Sequence, residues 1–328
     1  MTELDKKETI ETINRLAAEG RPFLFVINYK ADRSYVCGTD ETDPKEILYD
    51  FCGKSNIPDG IKPHKEGKPS LKAHPISYDE YLRSFDTVRQ AIAEGKTCLV
   101  NLTCATPIDI DIDLKEVFLR SQAMYRLWIK DRFTVFSPEI FVRIENGRIS
   151  SYPMKGTIDA TIPDAENVIL NDPKETAEHE SVVKLLSDDL SLVSDNIEVR
   201  RFRYIDRIET NKGPILQTSS EIEGRLPDDW REHLGDILMR MLPGGSIAGH
   251  PKKESLGVIE RAENYDRGYY TGIAGIFDGR NLDSTVLIRY MEQTPDGVIF
   301  KSGGGITADS DPRKEYEEMI RKVYVPVR

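Results

Sequence analysis

The run Ser302-Gly303-Gly304-Gly305-Ile306 constrains this chain more than any other feature, because it lies between an apolar strand-like stretch and a helix start at Asp311. Three successive glycines carry no Cβ, so their backbone admits a close neighbour or ligand that other residues would exclude. Asp311-Pro312 reads as an N-cap followed by proline at the first helical position. At about 100° per residue, Tyr316, Met319, Ile320 and Val323 then form one apolar stripe, while Glu315, Glu318 and Lys322 share a second face. That second face is either a solvated Glu318–Lys322 pair, worth about 0.3 kcal/mol, or part of a site.

The same device recurs at Asp172-Pro173-Lys174-Glu175-Thr176-Ala177-Glu178, again a helix start with Glu-x-x-Glu in its first turns. Two such helices would bring up to four carboxylates onto one hard cation that prefers oxygen ligands, Mg²⁺ foremost. The cysteines Cys37, Cys52, Cys98 and Cys104 show no CxxC or Cys/His spacing, which argues against zinc and for reduced thiols in a cytoplasmic protein.

With 328 residues, 39% hydrophobic, the chain can bury a large core, and no linker divides it; a single domain over 1–328 is expected. A net charge of -11 argues against nucleic acid or an anionic membrane as partner. No apolar run approaches the roughly 20 residues of a membrane span, and nothing at the N-terminus resembles a signal peptide.

Periodicity predicts helices over 3–19, 78–93, 114–128, 173–194, 229–241 and 253–262. Strands are expected over 22–29, 34–37, 97–107, 140–144, 148–152, 197–207, 215–222, 270–277 and 284–292. Asn146-Gly147 makes a tight hairpin turn, and the hairpin delivers Lys155 in a second turn, Pro153-Met154-Lys155-Gly156-Thr157. Residues 243–252 form a glycine-containing loop that matches neither a P-loop nor a Rossmann turn. Hairpins rather than βαβ alternation make the class α+β, with antiparallel sheets packed face to face and helices outside. Arg289, in the middle of the apolar run Val286-Leu287-Ile288-Arg289-Tyr290, requires an anion, either a protein carboxylate or a bound one. Together these features point to a small polycarboxylate substrate held partly by metal.

The ordered motifs Val100-Asn101-Leu102-Thr103, Ser137-Pro138-Glu139, Pro153-Met154-Lys155-Gly156-Thr157, Ala177-Glu178-His179, Gly244-Gly245-Ser246, Ile288-Arg289, Gly303-Gly304-Gly305-Ile306 and Glu315-Tyr316-Glu317-Glu318 resemble those of the chorismate-utilising enzymes. Within that family the resemblance is to the aminodeoxychorismate synthase component I branch, from about Gly95 onward. It implies that Glu178, Glu315 and Glu318, with Glu175, hold Mg²⁺ over one chorismate carboxylate. It also implies that Arg289, Tyr270, Lys322, Ser246, Gly156, Thr157 and the amides of Gly303 and Gly305 bind the remaining substrate.

Two positions choose among the branches. Members that add water to chorismate carry a basic lysine where this chain has Leu99, which cannot take a proton. Anthranilate synthase component I, the alternative reading beside a non-catalytic chorismate-binding subunit, resembles this chain less at Lys155, where it has alanine. The resemblance makes Lys155 the nucleophile at C2 of chorismate and Glu139 the acid for the departing C4 hydroxyl, with ammonia then displacing the lysine. That role needs an uncharged amine, which burial and nearby cations would favour. Lys155 salt-bridged to the substrate or to the metal carboxylates is the other reading.

Gln217 stands where the family carries a histidine beside the ring, Ala248 and His250 alter the glycine loop, and the stretch Lys184 to Asp189 departs from the usual pattern. The N-terminal region is short, so a complete tryptophan pocket is not expected. No glutaminase nucleophile turn occurs, so glutamine-derived ammonia would require a class I glutamine amidotransferase as partner.

Overall fold

Phe23–Ile27 is buried at every position, which a strand achieves only when both of its faces are covered. In the computed structural model, which describes residues 2–64, 67, 69–210 and 213–326, this strand lies between a second sheet and a helical layer. Leu24 and Val26 face the other sheet, and Phe23, Phe25 and Ile27 face helices, following the two-residue period of a strand.

The strands run β1 (Phe23–Ile27), β2 (Ser34–Gly38), β3 (Ile47–Phe51), β4 (Lys54–Ser55), β5 (Leu71–Ala73) and β6 (Leu99–Ile110). Next come β7 (Tyr125–Ile129), β8 (Phe133–Ser137), β9 (Ile140–Glu145), β10 (Arg148–Ser151), β11 (Met154–Asp159) and β12 (Asp195–Thr210). The last are β13 (Gly213–Arg225), β14 (Gly249–His250), β15 (Ile273–Phe277), β16 (Leu282–Val286), β17 (Tyr290–Thr294) and β18 (Gly297–Ile306). One sheet has the order β11-β13-β10-β9-β16-β15-β1-β2, with β12 on β13; the other runs β14-β6-β18-β17-β8-β7-β3-β4, with β5 on β6.

Helices cover both outer faces: α1 (Lys6–Ala18), α2 (Tyr78–Ala93), α3 (Leu114–Arg120), α4 (Ala165–Leu170), α5 (Pro173–Ser191), α6 (Leu234–Met241), α7 (Gly245–Ala248), α8 (Lys252–Ala262) and α9 (Pro312–Arg321). Helices α1, α5 and α6 pack on the first sheet, and α2, α8 and α9 pack on β6 and β18 of the second. Each large apolar side chain in these layers contributes about 1.5–3 kcal/mol, several times an exposed ion pair. The α+β class with face-to-face antiparallel sheets is as expected.

Three expectations need correction. The helix expected over 114–128 ends at Arg120, because Ser121 turns extended. Tyr125, Leu127 and Ile129 then alternate into the inter-sheet core while Trp128 faces the other way, a strand period read as a helical one. The strand expected over 284–292 is two strands in different sheets, joined by Leu287–Arg289, and Arg289 has a left-handed φ of 55°. Lys155 sits within β11 rather than in a tight turn, at a bulge where the register against β13 shifts between Met154 and Thr157. Part of the loop expected between 56 and 75, residues 65, 66 and 68, lies outside the described residues.

Candidate active site

Two crossovers between the sheets lie side by side and carry the central pair of the site. The chain passes from β8 to β9 through Pro138-Glu139, and from β16 to β17 through Leu287-Ile288-Arg289. They are tied together: the Glu139 carbonyl accepts from Val286 N (3.2 Å) and Thr285 Oγ1 (2.6 Å), and the Arg289 carbonyl accepts from Phe136 N at 3.2 Å. Thr271 N bonds Leu287 O at 2.8 Å, which sets buried Tyr270 against the same crossover.

Arg289 answers the question left open by the sequence. Its Nε is buried with no hydrogen-bond partner, and among the described residues no carboxylate stands within ion-pair distance of it. Leaving a buried guanidinium nitrogen unpaired is costly, and the half-buried Arg289 side chain has the donor capacity to take an anion from outside the chain.

Glu139 is half-buried and accepts from Ser246 Oγ at 3.2 Å. Burial pushes its carboxyl above the usual range, against the opposing pull of the Ser246 hydrogen bond and of the Arg289 and Lys322 charges. Ser246 rides on α7, whose start is fixed by buried Asp189: Gly245 N donates to Asp189 Oδ2 at 2.7 Å, and Lys252 Nζ lies 2.8 Å from Oδ1.

The glycine run forms the end of β18, paired with β6 from Gly303↔Thr103 to Ile306↔Val100, whereas β17 pairs only as far as Lys301. From Ser302 onward the opposite edge is therefore open, and Lys322 Nζ reaches it, donating to Gly303 O at 2.8 Å. A Cβ on Gly303 would overlap the Leu102 carbonyl, so the neighbouring strand, before any ligand, demands that glycine. A Cβ on Gly304 would come within 3.5 Å of Glu315 Oε2 and 3.9 Å of Glu318 Oε1, which places the C-terminal carboxylates above this strand. Leu99 packs beside Gly305.

Across from α9, helix α5 presents Glu175 and Glu178. Its N-cap Asp172 accepts from Lys174 N and Glu175 N, which fixes the first turn. Gly156, at φ 92°, lets β11 approach so closely that a Cβ there would stand 2.7 Å from Glu175 Oε2. Lys155 Nζ lies 2.8 Å from Glu178 Oε2. Partial burial would lower its pKa, but the hydrogen bond to Glu178 and the charges of Glu178, Glu175 and Glu318 outweigh it and hold the proton on. The expected cationic surroundings of Lys155 are thus replaced by anionic ones. Thr157 is exposed on the same strand, opposite Gln217.

The carboxylates of α5 and α9 are an all-oxygen donor set of the kind a hard divalent cation takes. As placed, no three or more His, Cys, Asp or Glu side chains among the described residues stand close enough to hold a metal, because Lys155 holds Glu178 and Lys322 holds Glu318 at 2.8 Å. Burial and the neighbouring Glu318 raise Glu315, against a Ser310 hydrogen bond and the Lys322 and Lys155 charges; Glu318 is lowered because Lys322 and Lys155 outweigh its own burial. It is the chemistry of this donor set, and not its present placement, that suits a hard divalent cation.

Sequence reading missed a buried support beneath this site. Arg267 and Glu263, with side chains 2% and 3% exposed, pair at 2.6 Å. Arg267 also donates to Ile247 O and Asn101 O, and Glu263 accepts from Thr103, joining β6 to the α7 segment. Their four-residue spacing was visible but matches an ordinary solvated helix pair. The anchor Asp189 was equally hidden.

The family model for "chorismate binding enzyme" matches residues 24–328. A Haemophilus influenzae protein called an uncharacterized PabA-like protein is 43% identical over 327 residues, spanning 100% of this chain and 99% of that one. Anthranilate synthase component 1 1 of Haloarcula marismortui is 32% identical, across 86% of this chain and 62% of its own length. Aminodeoxychorismate synthase component 1 of Bacillus subtilis is 28% identical, across 80% and 59%. In fold, the menaquinone-specific isochorismate synthase of Escherichia coli superposes with a TM-score of 0.74 at 16% identity, covering 98% of this chain and 82% of that one. The chain therefore belongs to the chorismate binding enzyme family.

Proposed function

We propose that this chain converts chorismate and ammonia to 4-amino-4-deoxychorismate, the reaction of aminodeoxychorismate synthase component I on the way to 4-aminobenzoate and folate. The observation that carries this reading is one connected array. Lys155 pairs with Glu178 and feels Glu318, Glu318 pairs with Lys322, and Lys322 acts on Glu139 beside the unpartnered Arg289.

In this reading Arg289 and Lys322 receive one substrate carboxylate, with Tyr270, Ser246 and the open β18 edge at Gly303 and Gly305 around it. Gly156 and Thr157 of β11 border the ring. A divalent cation held by Glu178, Glu315 and Glu318, with Glu175, would supply the positive charge for the other carboxylate. Lys155 attacks C2, the ring double bonds shift, and the C4 hydroxyl leaves as water on taking the proton of Glu139. Ammonia then adds at C4 and expels the lysine amine from C2. Lys155 must first shed the proton that Glu178 holds on it, so moving Glu178 off the amine is the enabling change. Ammonia comes from a class I glutamine amidotransferase in a cytoplasmic pathway.

The alternative is anthranilate synthase component I, favoured by the 32% identity to the Haloarcula marismortui enzyme. Lys155 is the feature against it. Incubation of the purified chain with chorismate, ammonium and Mg²⁺, followed by mass analysis, separates the two. Retention of the enolpyruvyl group in an aminated product is expected; anthranilate with free pyruvate would overturn the reading.

A further inference from the structure

We propose that Tyr324 is a positioning residue for the Arg289 guanidinium and, through it, for the substrate carboxylate; the inference rests on the chorismate reading above. Cζ of Arg289 lies 5.7 Å from the centroid of the Tyr324 ring, and the ring is 43% exposed. An exposed aromatic is ordinarily free to turn away. This one is carried on a segment fixed on both sides.

Val323 and Val325 pack into the core cluster that contains Phe136 and Phe300, and Gln122 N donates to Pro326 O at 2.8 Å. Two residues before the ring, Lys322 is fixed by the Gly303 carbonyl and Glu318. The tail therefore crosses the site as a strap, with its valines inward and Tyr324 against the arginine.

Arg289 needs such support. It sits at a left-handed φ on a crossover, and among the described residues no protein acceptor fixes its side chain. An aromatic face within about 6 Å stabilises a guanidinium while leaving its in-plane N–H groups free. Those N–H groups are the fork that takes a planar carboxylate in bidentate fashion. Tyr324 thus steadies the guanidinium, and Arg289 makes the contact.

The test measures chorismate affinity without ammonia by calorimetry, together with kcat and KM for the full reaction. Tyr324→Ala should raise Kd and KM roughly five- to tenfold and leave kcat within about twofold. Tyr324→Phe should restore binding, and Tyr324→Leu, which keeps apolar bulk on the strap, should behave as Tyr324→Ala. In an Arg289→Lys background, where no planar guanidinium is left to position, the Tyr324→Ala change should have a clearly smaller effect. Wild-type affinity in Tyr324→Ala or Tyr324→Leu, failure of Tyr324→Phe to rescue, or an undiminished effect in the Arg289→Lys background would overturn the inference alone. A wild-type chain that binds no chorismate would overturn the functional reading and this inference with it.

Discussion

Ser246 Oγ donates to Glu139 Oε1 at 3.2 Å, joining the short helix α7 to the crossover between the two sheets. This bond lowers a carboxyl that burial raises. If Glu139 is the acid, activity falls as pH rises through its raised pKa. Ser246→Ala removes the lowering influence and should move that alkaline limb of the log kcat profile to higher pH. Glu139→Gln should abolish the limb and slow turnover by about 10²–10⁴-fold. Folded Glu139 binds its proton more tightly than in the unfolded chain, so its own contribution to stability is lost as pH rises from 4.5 through the raised folded value. Glu139→Gln should accordingly be no less stable than wild type at pH 7, by urea unfolding. A limb that stays in place in Ser246→Ala would remove Glu139 from the acid role.

The Lys155–Glu178 pair makes a prediction of opposite sign. Lys155 is raised above 10.5 in the folded state, so its contribution is fully present below pH 10.5 and fades as pH rises through the folded value. Both side chains are more than a third exposed, at 44% and 36%, and solvent limits the pair to about 0.5 kcal/mol. Glu178→Gln should cost about that much at pH 8 in low salt, and the difference should shrink in 1 M NaCl and as the pH rises past 10.5 through the folded value. An equal loss under all these conditions would mean that Glu178 acts through packing.

Much of this site was legible because its residues lie at punctuation marks in the sequence. Asp311-Pro312 and Asp172-Pro173 mark helix starts whose caps form as read, and Asn146-Gly147 closes the expected hairpin with both φ values positive. Arg289 and Lys155 were placed in the wrong local structure for a common reason. Arg289 is flanked by the same Leu and Ile that flank a mid-strand residue, while Pro153 and Gly156 give Lys155 the look of a turn, and in both cases pairing partners far along the chain decide which it is. The inter-sheet order, the Asp189 anchor and the Glu263–Arg267 support depend wholly on such long-range packing.

The carboxylates of α5 and α9 predict a metal requirement. Wild type should bind Mg²⁺ by calorimetry, and Glu318→Ala should lose most of that binding and essentially all activity. The fold rests on its apolar layers, so the thermal midpoint of Glu318→Ala should shift by no more than a few degrees. Full activity in excess chelator, or unchanged Mg²⁺ affinity in the variant, would show that these helices serve another purpose.

Lys155 gives the last prediction, because it separates the proposed reaction from its nearest alternative. Lys155→Ala removes the amine but leaves Arg289, Lys322 and the β18 edge in place, so chorismate affinity should change by less than about threefold. The two-step route through C2 should stop, with kcat for the 4-amino product falling at least about 10³-fold. Lys155→Arg should do no better, since a guanidinium remains protonated and cannot attack carbon. Alanine also leaves Glu178 unpaired, and Lys155→Met, which keeps the side-chain bulk, controls for repacking around that carboxylate. The decisive measurement is the intact-protein mass after incubation with chorismate and no ammonia. An adduct of chorismate less water should appear on wild type and be missing from all three variants. If Lys155→Ala still forms the aminated product near the wild-type rate, the lysine serves only as the counter-charge that its 2.8 Å contact with Glu178 shows it to be, and ammonia must attack the ring directly.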